Sequence, residues 1–167
     1  MTATVTTSVS KVLTPNDVGS TGSHQAGIAV PRQDEMLAFF PALDATEYNP
    51  RQSLLFREVS GIDEWPLNFI YYNGRLHGRS TRNEYRLTGL TPFFKKHKAA
   101  VGDILQLGKT QTGRWTIEIV HSQERTAAVE VLPPYSFEIN GDASLNYETI
   151  KLSGTWSAVS RRKNSVR

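Results

Sequence analysis

The sequence predicts a mainly β domain with short helices, built in the manner of a barrel. Short runs of alternating apolar and polar residues recur along it, rich in Val, Ile, Thr, Tyr, Phe and Trp. Turn signals such as Pro15-Asn16-Asp17, Asn73-Gly74 and Thr112-Gly113 separate these runs. Helical patterning is confined to one or two short segments, which favours a barrel over a layered α/β arrangement. The 167 residues are enough for one domain with its own core. That domain is expected over residues 1–160, with a basic tail or linker at 161–167.

Residues 1–10 are mostly Thr, Ser and Val and suit either a first strand or a loose end. Lys11-Val12-Leu13-Thr14 has the character of a strand end, broken by Pro15. Gly19 to Gly27 is too rich in Gly, Ser and Thr to build a core. It reads either as a surface loop or as an arm that approaches a ligand, offering Thr21, Ser23, His24 and Gln25 as donors and acceptors. Pro31 to Phe40 predicts a short helix. Pro31 falls near its first turn, Asp34 and Glu35 follow where the helix dipole favours acids, and Met36, Leu37 and Phe40 share a face. Pro41 ends it.

Ser53–Val59, Trp65–Tyr72 and Glu84–Thr88 each predict a strand. Phe93-Phe94 followed by Lys95-Lys96-His97-Lys98 predicts a helical turn with a basic outer face. Val101–Leu107 reads as a turn feeding a strand. Arg114–His121 is the most regular alternation in the chain, with Trp115, Ile117 and Ile119 on one face. Thr110-Gln111-Thr112-Gly113 supplies the hairpin between them. Ala127–Leu132 suggests a last short strand, and Tyr147, Ile150, Leu152 and Trp156 remain to pack.

The formal charge is only +3, but it is unevenly spread. Between Asn73 and Lys98 lie Arg75, Arg79, Arg82, Arg86, Lys95, Lys96 and Lys98 against one acid, Glu84. The tail adds Arg161, Arg162, Lys163 and Arg167, which leaves the remaining chain net acidic. A basic stripe on an acidic body points to a directed polyanion contact. The stretch from Tyr71 to Thr88 reads as two strands joined by a basic arm. Arginine forks match guanine or phosphate, Asn73 and Asn83 suit adenine, and Glu84 can accept from the cytosine amino group. The plain alternative is a solvated hairpin with ordinary surface charge.

Several chemistries find no support. The chain has no cysteine, so it has no disulfide framework, thiolate metal site or cysteine nucleophile. No apolar run approaches the length of a membrane span, and the N-terminus lacks a signal-peptide layout. Gly102 to Thr110 imitates a phosphate loop, but five residues separate its glycines where the motif needs four, and its interior is a strand. His24, His77, His97 and His121 show no metal-ligand spacing. No acid-x-lysine pair of the metal-dependent nucleases occurs. The expectation is a binder without cofactor or metal rather than a catalyst.

Two motifs carry a resemblance. Thr14 to Ile28, followed by Val30-Pro31, resembles the start of the N-terminal effector-binding domain of EcoRII-type (Type IIE) restriction endonucleases. Ile70-Tyr71-Tyr72-Asn73 with Thr81-Arg82-Asn83-Glu84 and Arg86 resembles that domain's second arm. A looser match, Arg82 to Leu90 with Phe94 and Val101-Gly102-Asp103, is similar to the B3 domains of plant transcription factors. The likeness is sharp over residues 11–31 and 68–90, fair to about 120 and weak beyond.

The resemblance implies a B3-like, seven-stranded pseudobarrel that grips duplex DNA in the major groove with two arms. It implies CC(A/T)GG as target, and an effector or targeting role in which a separate C-terminal nuclease domain cuts. The chain would then be a fragment of a larger enzyme or a stand-alone binder in the bacterial cytoplasm. His24 and Gln25 carry over in the first arm, and Asn73, Arg75, Arg82, Asn83, Glu84 and Arg86 in the second. Thr21 and Ser23 would assist from the first arm, and Arg79 would share base and phosphate work in the second. Lys95, Lys96 and Lys98 would attract phosphates. Two places depart from the family: Arg79-Ser80 adds a residue and puts Ser80 where the relative has lysine, and Tyr85 also replaces a lysine. Two other readings stay open: a small nuclease built around His24 or His77, and a protein- or RNA-binding barrel.

Overall fold

The computed structural model describes residues 5–20, 27–122, 147–151 and 155–161. The predicted strand at 127–132, Leu152 and the tail from residue 162 lie outside these. So do Thr21, Ser23, His24 and Gln25 of the first arm.

Nine strands and two short helices follow in order: β1 (Val5–Val12), β2 (Ile28–Val30), α1 (Asp34–Phe39), β3 (Arg51–Glu58), β4 (Glu64–Tyr72), β5 (Glu84–Thr88), α2 (Thr91–Lys96), β6 (Ile104–Thr110), β7 (Trp115–Val120), β8 (Tyr147–Lys151) and β9 (Trp156–Arg161). One sheet holds all nine strands in the order β2-β5-β4-β3-β7-β6-β1-β9-β8. Neighbours are antiparallel except β3 and β7, which run parallel with Phe56 opposite Trp115. The resemblance implies seven strands; the described residues form nine.

The sheet curls until its ends approach. Trp156, on β9 near one end, donates its indole N–H to the carbonyl of Ala29 on β2 at the other, at 2.9 Å. The bond spans strands seven places apart in the sheet order, a contact that a flat sheet could not make. The inner faces meet in one core that includes Val9, Leu54, Phe56, Leu67, Phe69, Leu87, Leu105, Leu107, Ile117 and Trp156. Burying each such side chain contributes about 1.5–3 kcal/mol.

The helices fill this core. Met36, Phe39 and Phe40 enter it from α1 and its cap. Phe40 stacks on Phe69 at 4.3 Å, and Phe39 meets Trp115 edge-on at 5.3 Å. α1 begins at Asp34, so Pro31 precedes the helix instead of occupying its first turn, and Phe40 is extended because Pro41 follows it. α2 contributes Phe93 and Phe94. The predicted hairpin joins β6 to β7: Thr110 takes the N–H of Gly113 on its carbonyl and that of Arg114 on its hydroxyl. Of the stretch left open by the sequence, residues 5–10 fall in β1, which pairs with both β6 and β9. Among the described residues no helix is long and apolar enough to cross a membrane.

Candidate nucleic-acid interface

β4 and β5 pair antiparallel from Asn68–Thr88 to Tyr72–Glu84, and the arm they carry is residues 73–83. A tight turn shapes it: Arg75 N–H bonds to Arg82 O, Arg79 N–H to Gly74 O, and Leu76 N–H to Asn73 O. Gly74 is buried under Ser80, whose hydroxyl also takes the Arg82 N–H, and a Cβ at 74 would overlap that hydroxyl. Ser80 therefore closes the arm's neck.

The basic side chains divide into two sets. Arg75, Arg79 and Arg82 are exposed. Arg82 lies over the Tyr72 ring at 4.5 Å, and Arg79 over Tyr48 at the same distance, which aims each fork without removing it from solvent. Glu84 keeps 36% of its side chain exposed, with Arg82 and Arg86 each 3.4 Å from its carboxylate. A donor fork and an acceptor thus sit side by side at the arm's base. Asn83 is half-buried, and its side-chain oxygen takes the Tyr71 hydroxyl at 2.7 Å.

Three residues expected to contact DNA are engaged within the protein. Asn73 is fully buried. Its amide donates to the carbonyls of Ala45 and Glu47 and accepts the Asn49 N–H, so it bolts the arm to the loop at 44–49. Arg86 is only 4% exposed and turns inward to Glu84 and to the carbonyl of Gly27. Lys96 is held by Glu58 and Asp63, which neutralise it locally. Tyr85 stacks on Tyr71 at 4.3 Å and on Phe69 at 5.4 Å. Burial there, with Tyr71 alongside, raises the pKa of its phenol despite Arg32 nearby.

Glu58 shows why Lys96 is committed. Burial favours its protonated form, yet hydrogen bonds from His97, Lys96 and the Trp65 indole outweigh that and hold its pKa at about 2. A lysine beside a carboxylate this firmly ionised is a poor phosphate ligand. Lys95 and Lys98 are exposed and, with Asn16, Val18, Gly19, Gly27, Leu90 and Phe94, border a cleft of about 330 Å³ beside the roots of the first arm.

Those roots are well anchored. Lys11 and Asp17, both nearly buried, pair at 2.5 Å. Asp17 also takes the N–H and hydroxyl of Thr14, and Lys11 reaches Thr155. At the other root Gly27 has φ +72° and lies so close to β5 that a Cβ would overlap the Leu87 carbonyl. Only glycine suits both demands.

The family model described as restriction endonuclease EcoRII, N-terminal, matches residues 3–110. The chain belongs to this family. Type II restriction enzyme EcoRII of Escherichia coli is 41% identical to this EcoRII-N domain over 81 residues, which are 47% of the chain and 19% of the enzyme. The chain thus spans about a fifth of that relative's length. Among solved structures, an Arabidopsis FUS3–DNA complex shares the fold, with a TM-score of 0.51 and 18% identity over 67% of this chain and 94% of that one. The UbaLAI restriction endonuclease B3 domain with cognate DNA gives a TM-score of 0.46 and 20% identity over 80% and 85% of the two chains.

Within this EcoRII-N domain, sequence reasoning missed the loop that buttresses the second arm. Asp44 accepts both the N–H and the hydroxyl of Thr46, and those bonds lower its pKa. Tyr48 supports Arg79 and meets His77 edge-on, while His77 bonds to Ala45 O. The available signals were the Asp-x-Thr turn and Asn49-Pro50. Among the described residues no cluster of His, Asp and Glu is arranged to hold a metal ion.

Proposed function

We propose that this chain is a sequence-specific double-stranded DNA-binding domain, the effector or targeting module of a larger restriction enzyme. Its target is CC(A/T)GG or a close G·C-rich relative, and a separate C-terminal nuclease domain performs the cleavage. Restriction places such an enzyme in the bacterial cytoplasm. The observation that carries the reading is the set of exposed guanidiniums of Arg75, Arg79 and Arg82 on the hairpin arm, with the half-exposed carboxylate of Glu84 3.4 Å from Arg82 at its base. Guanine presents two acceptors in the major groove and cytosine one donor, so this set holds complements for both halves of a G·C pair. Thr21, Ser23, His24 and Gln25 work from the first arm, and Lys95 and Lys98 supply phosphate attraction without sequence information.

The test is a competition gel shift at fixed moderate salt, with CC(A/T)GG duplexes, single-base-pair variants and random DNA. About a thousandfold preference or more over random duplex supports the reading. Equal binding to all three refutes it. Tight binding of single-stranded or A-form RNA would favour an RNA-binding barrel, because major-groove arms require B-form duplex. Nicking of plasmid by the purified chain in magnesium would place a nuclease centre within it.

A further inference from the structure

We infer that Arg86 is not a DNA contact but an internal strut that joins the roots of the two arms and aims Glu84 at its base. This rests on the DNA-reading role proposed above. Arg86 occupies the middle of β5, opposite Ala29 of β2 on one side and Ile70 of β4 on the other. β2 is the strand that leaves the first arm, and β4 is the strand that enters the second. One nitrogen of the guanidinium donates to Gly27 O at 2.9 Å, and another stands 3.4 Å from the Glu84 carboxylate. Gly27, in a left-handed conformation, lies so close to β5 that an added Cβ would overlap the Leu87 carbonyl, so this root packs directly on the strand that carries Arg86.

A buried arginine on an outward-facing strand position is costly unless its donors are satisfied. Here that requirement fixes geometry. The planar fork sets the separation between the first arm's exit and the second arm's acceptor. It also places a positive charge behind Glu84, whose carboxylate oxygens are acceptors of the kind that cytosine-amine recognition needs. Arg82, half exposed and 3.4 Å from the other carboxylate oxygen of Glu84, is free to exchange that carboxylate for a base edge, whereas the buried Arg86 holds its place.

The experiment compares wild type, Arg86→Lys, Arg86→Gln, Glu84→Gln and the double variant Arg86→Lys/Glu84→Gln. Each is checked by circular dichroism for folding, then measured against the cognate duplex, every single-base-pair variant and a salt series. Lysine keeps the charge but cannot span both partners, so Arg86→Lys carries the test if Arg86→Gln fails to fold. As a strut, Arg86→Lys loses discrimination about tenfold or more, at the same base pair that Glu84→Gln affects. The double variant is then no worse there than the worse single variant, and the dependence of log K on log salt is unchanged.

A direct guanine contact would instead give loss at a different base pair, additive with Glu84→Gln. A phosphate contact would lower the salt slope by about one. Uniform loss on all duplexes would make Arg86 merely structural, and no loss would make it dispensable. Any of these outcomes overturns the strut. Failure of the DNA-reading proposal itself would show separately, as a wild-type domain with no preference among duplexes.

Discussion

Replacing Asn73 with alanine separates a bolt from a base reader. Its side chain makes three hydrogen bonds, donating at 2.7 and 3.2 Å to Glu47 and Ala45 and accepting at 2.8 Å from Asn49. The two carbonyls belong to exposed residues, where water can replace the lost donor. The Asn49 N–H is less fortunate: its residue is half-buried and held at φ 50°. At about 1 kcal/mol for each bond and a little more for the void, the loss is about 2–4 kcal/mol. For a domain of this size that lowers Tm by roughly 5–15 °C.

Asn73→Asp should be no milder. The carboxylate still accepts from Asn49, but it now faces the Ala45 and Glu47 carbonyls with no proton to give them. Thermal and urea unfolding followed by tryptophan fluorescence measure both variants. Gel shifts at a temperature where each is folded then measure binding, which should weaken evenly across duplexes as the arm loosens. An unchanged Tm, with discrimination lost at one base pair, would refute the buried-bolt assignment and return Asn73 to the DNA face.

Three further outcomes follow from the same geometry. Glu58 has its pKa lowered from the ordinary carboxylate value of 4.5 to about 2, so its stabilisation is complete above about pH 4.5 and disappears as pH falls through 2. Unfolding free energies from urea titrations at pH 6, 4 and 2.5 should fall in that order, by up to about 3 kcal/mol in total, and Glu58→Gln should flatten this part of the decline. Lys95→Ala should lower the salt slope of DNA binding by about one, whereas Lys96→Ala should leave the slope and reduce stability, because Lys96 is paired with Glu58 and Asp63. Gly27→Ala should cost about 2 kcal/mol or more in unfolding free energy, since both its backbone angle and its contact with Leu87 oppose a Cβ; an unchanged urea midpoint would show that the first arm's root can move aside.

The fold was legible because its signals are local. Alternation placed β3, β4, β5 and β7 within a few residues, and Asn73-Gly74 and Gly113 marked where the chain turns back. β1 stayed ambiguous because its Thr and Ser residues give no hydrophobic contrast: Ser8 and Ser10 are buried between β6 and β9, a context that only the assembled sheet provides. The Trp156–Ala29 clasp joins residues 127 positions apart, and no window of sequence reports it.

The arm illustrates the deeper limit. Composition identified four arginines and one glutamate as parts for reading G·C pairs, but it could not sort readers from supports. A base-reading fork must be aimed before DNA arrives, because ordering a long side chain on binding costs about 0.5–1.5 kcal/mol each. Aiming needs partners: rings for Arg79 and Arg82, and a fixed charge behind Glu84. Some polar residues of any such arm must therefore face inward, and Asn73 and Arg86 do. Strand parity does not reveal this, because Arg86 shares a face with Glu84 and yet is covered. What distinguishes them is the neighbour across the sheet: Arg86 lies opposite Ala29, two residues from the Gly27 carbonyl, while Glu84 lies beyond the end of β2 opposite Tyr72. Reading that distinction requires the pairing of β2 with β5, a contact between two arms that the chain keeps far apart.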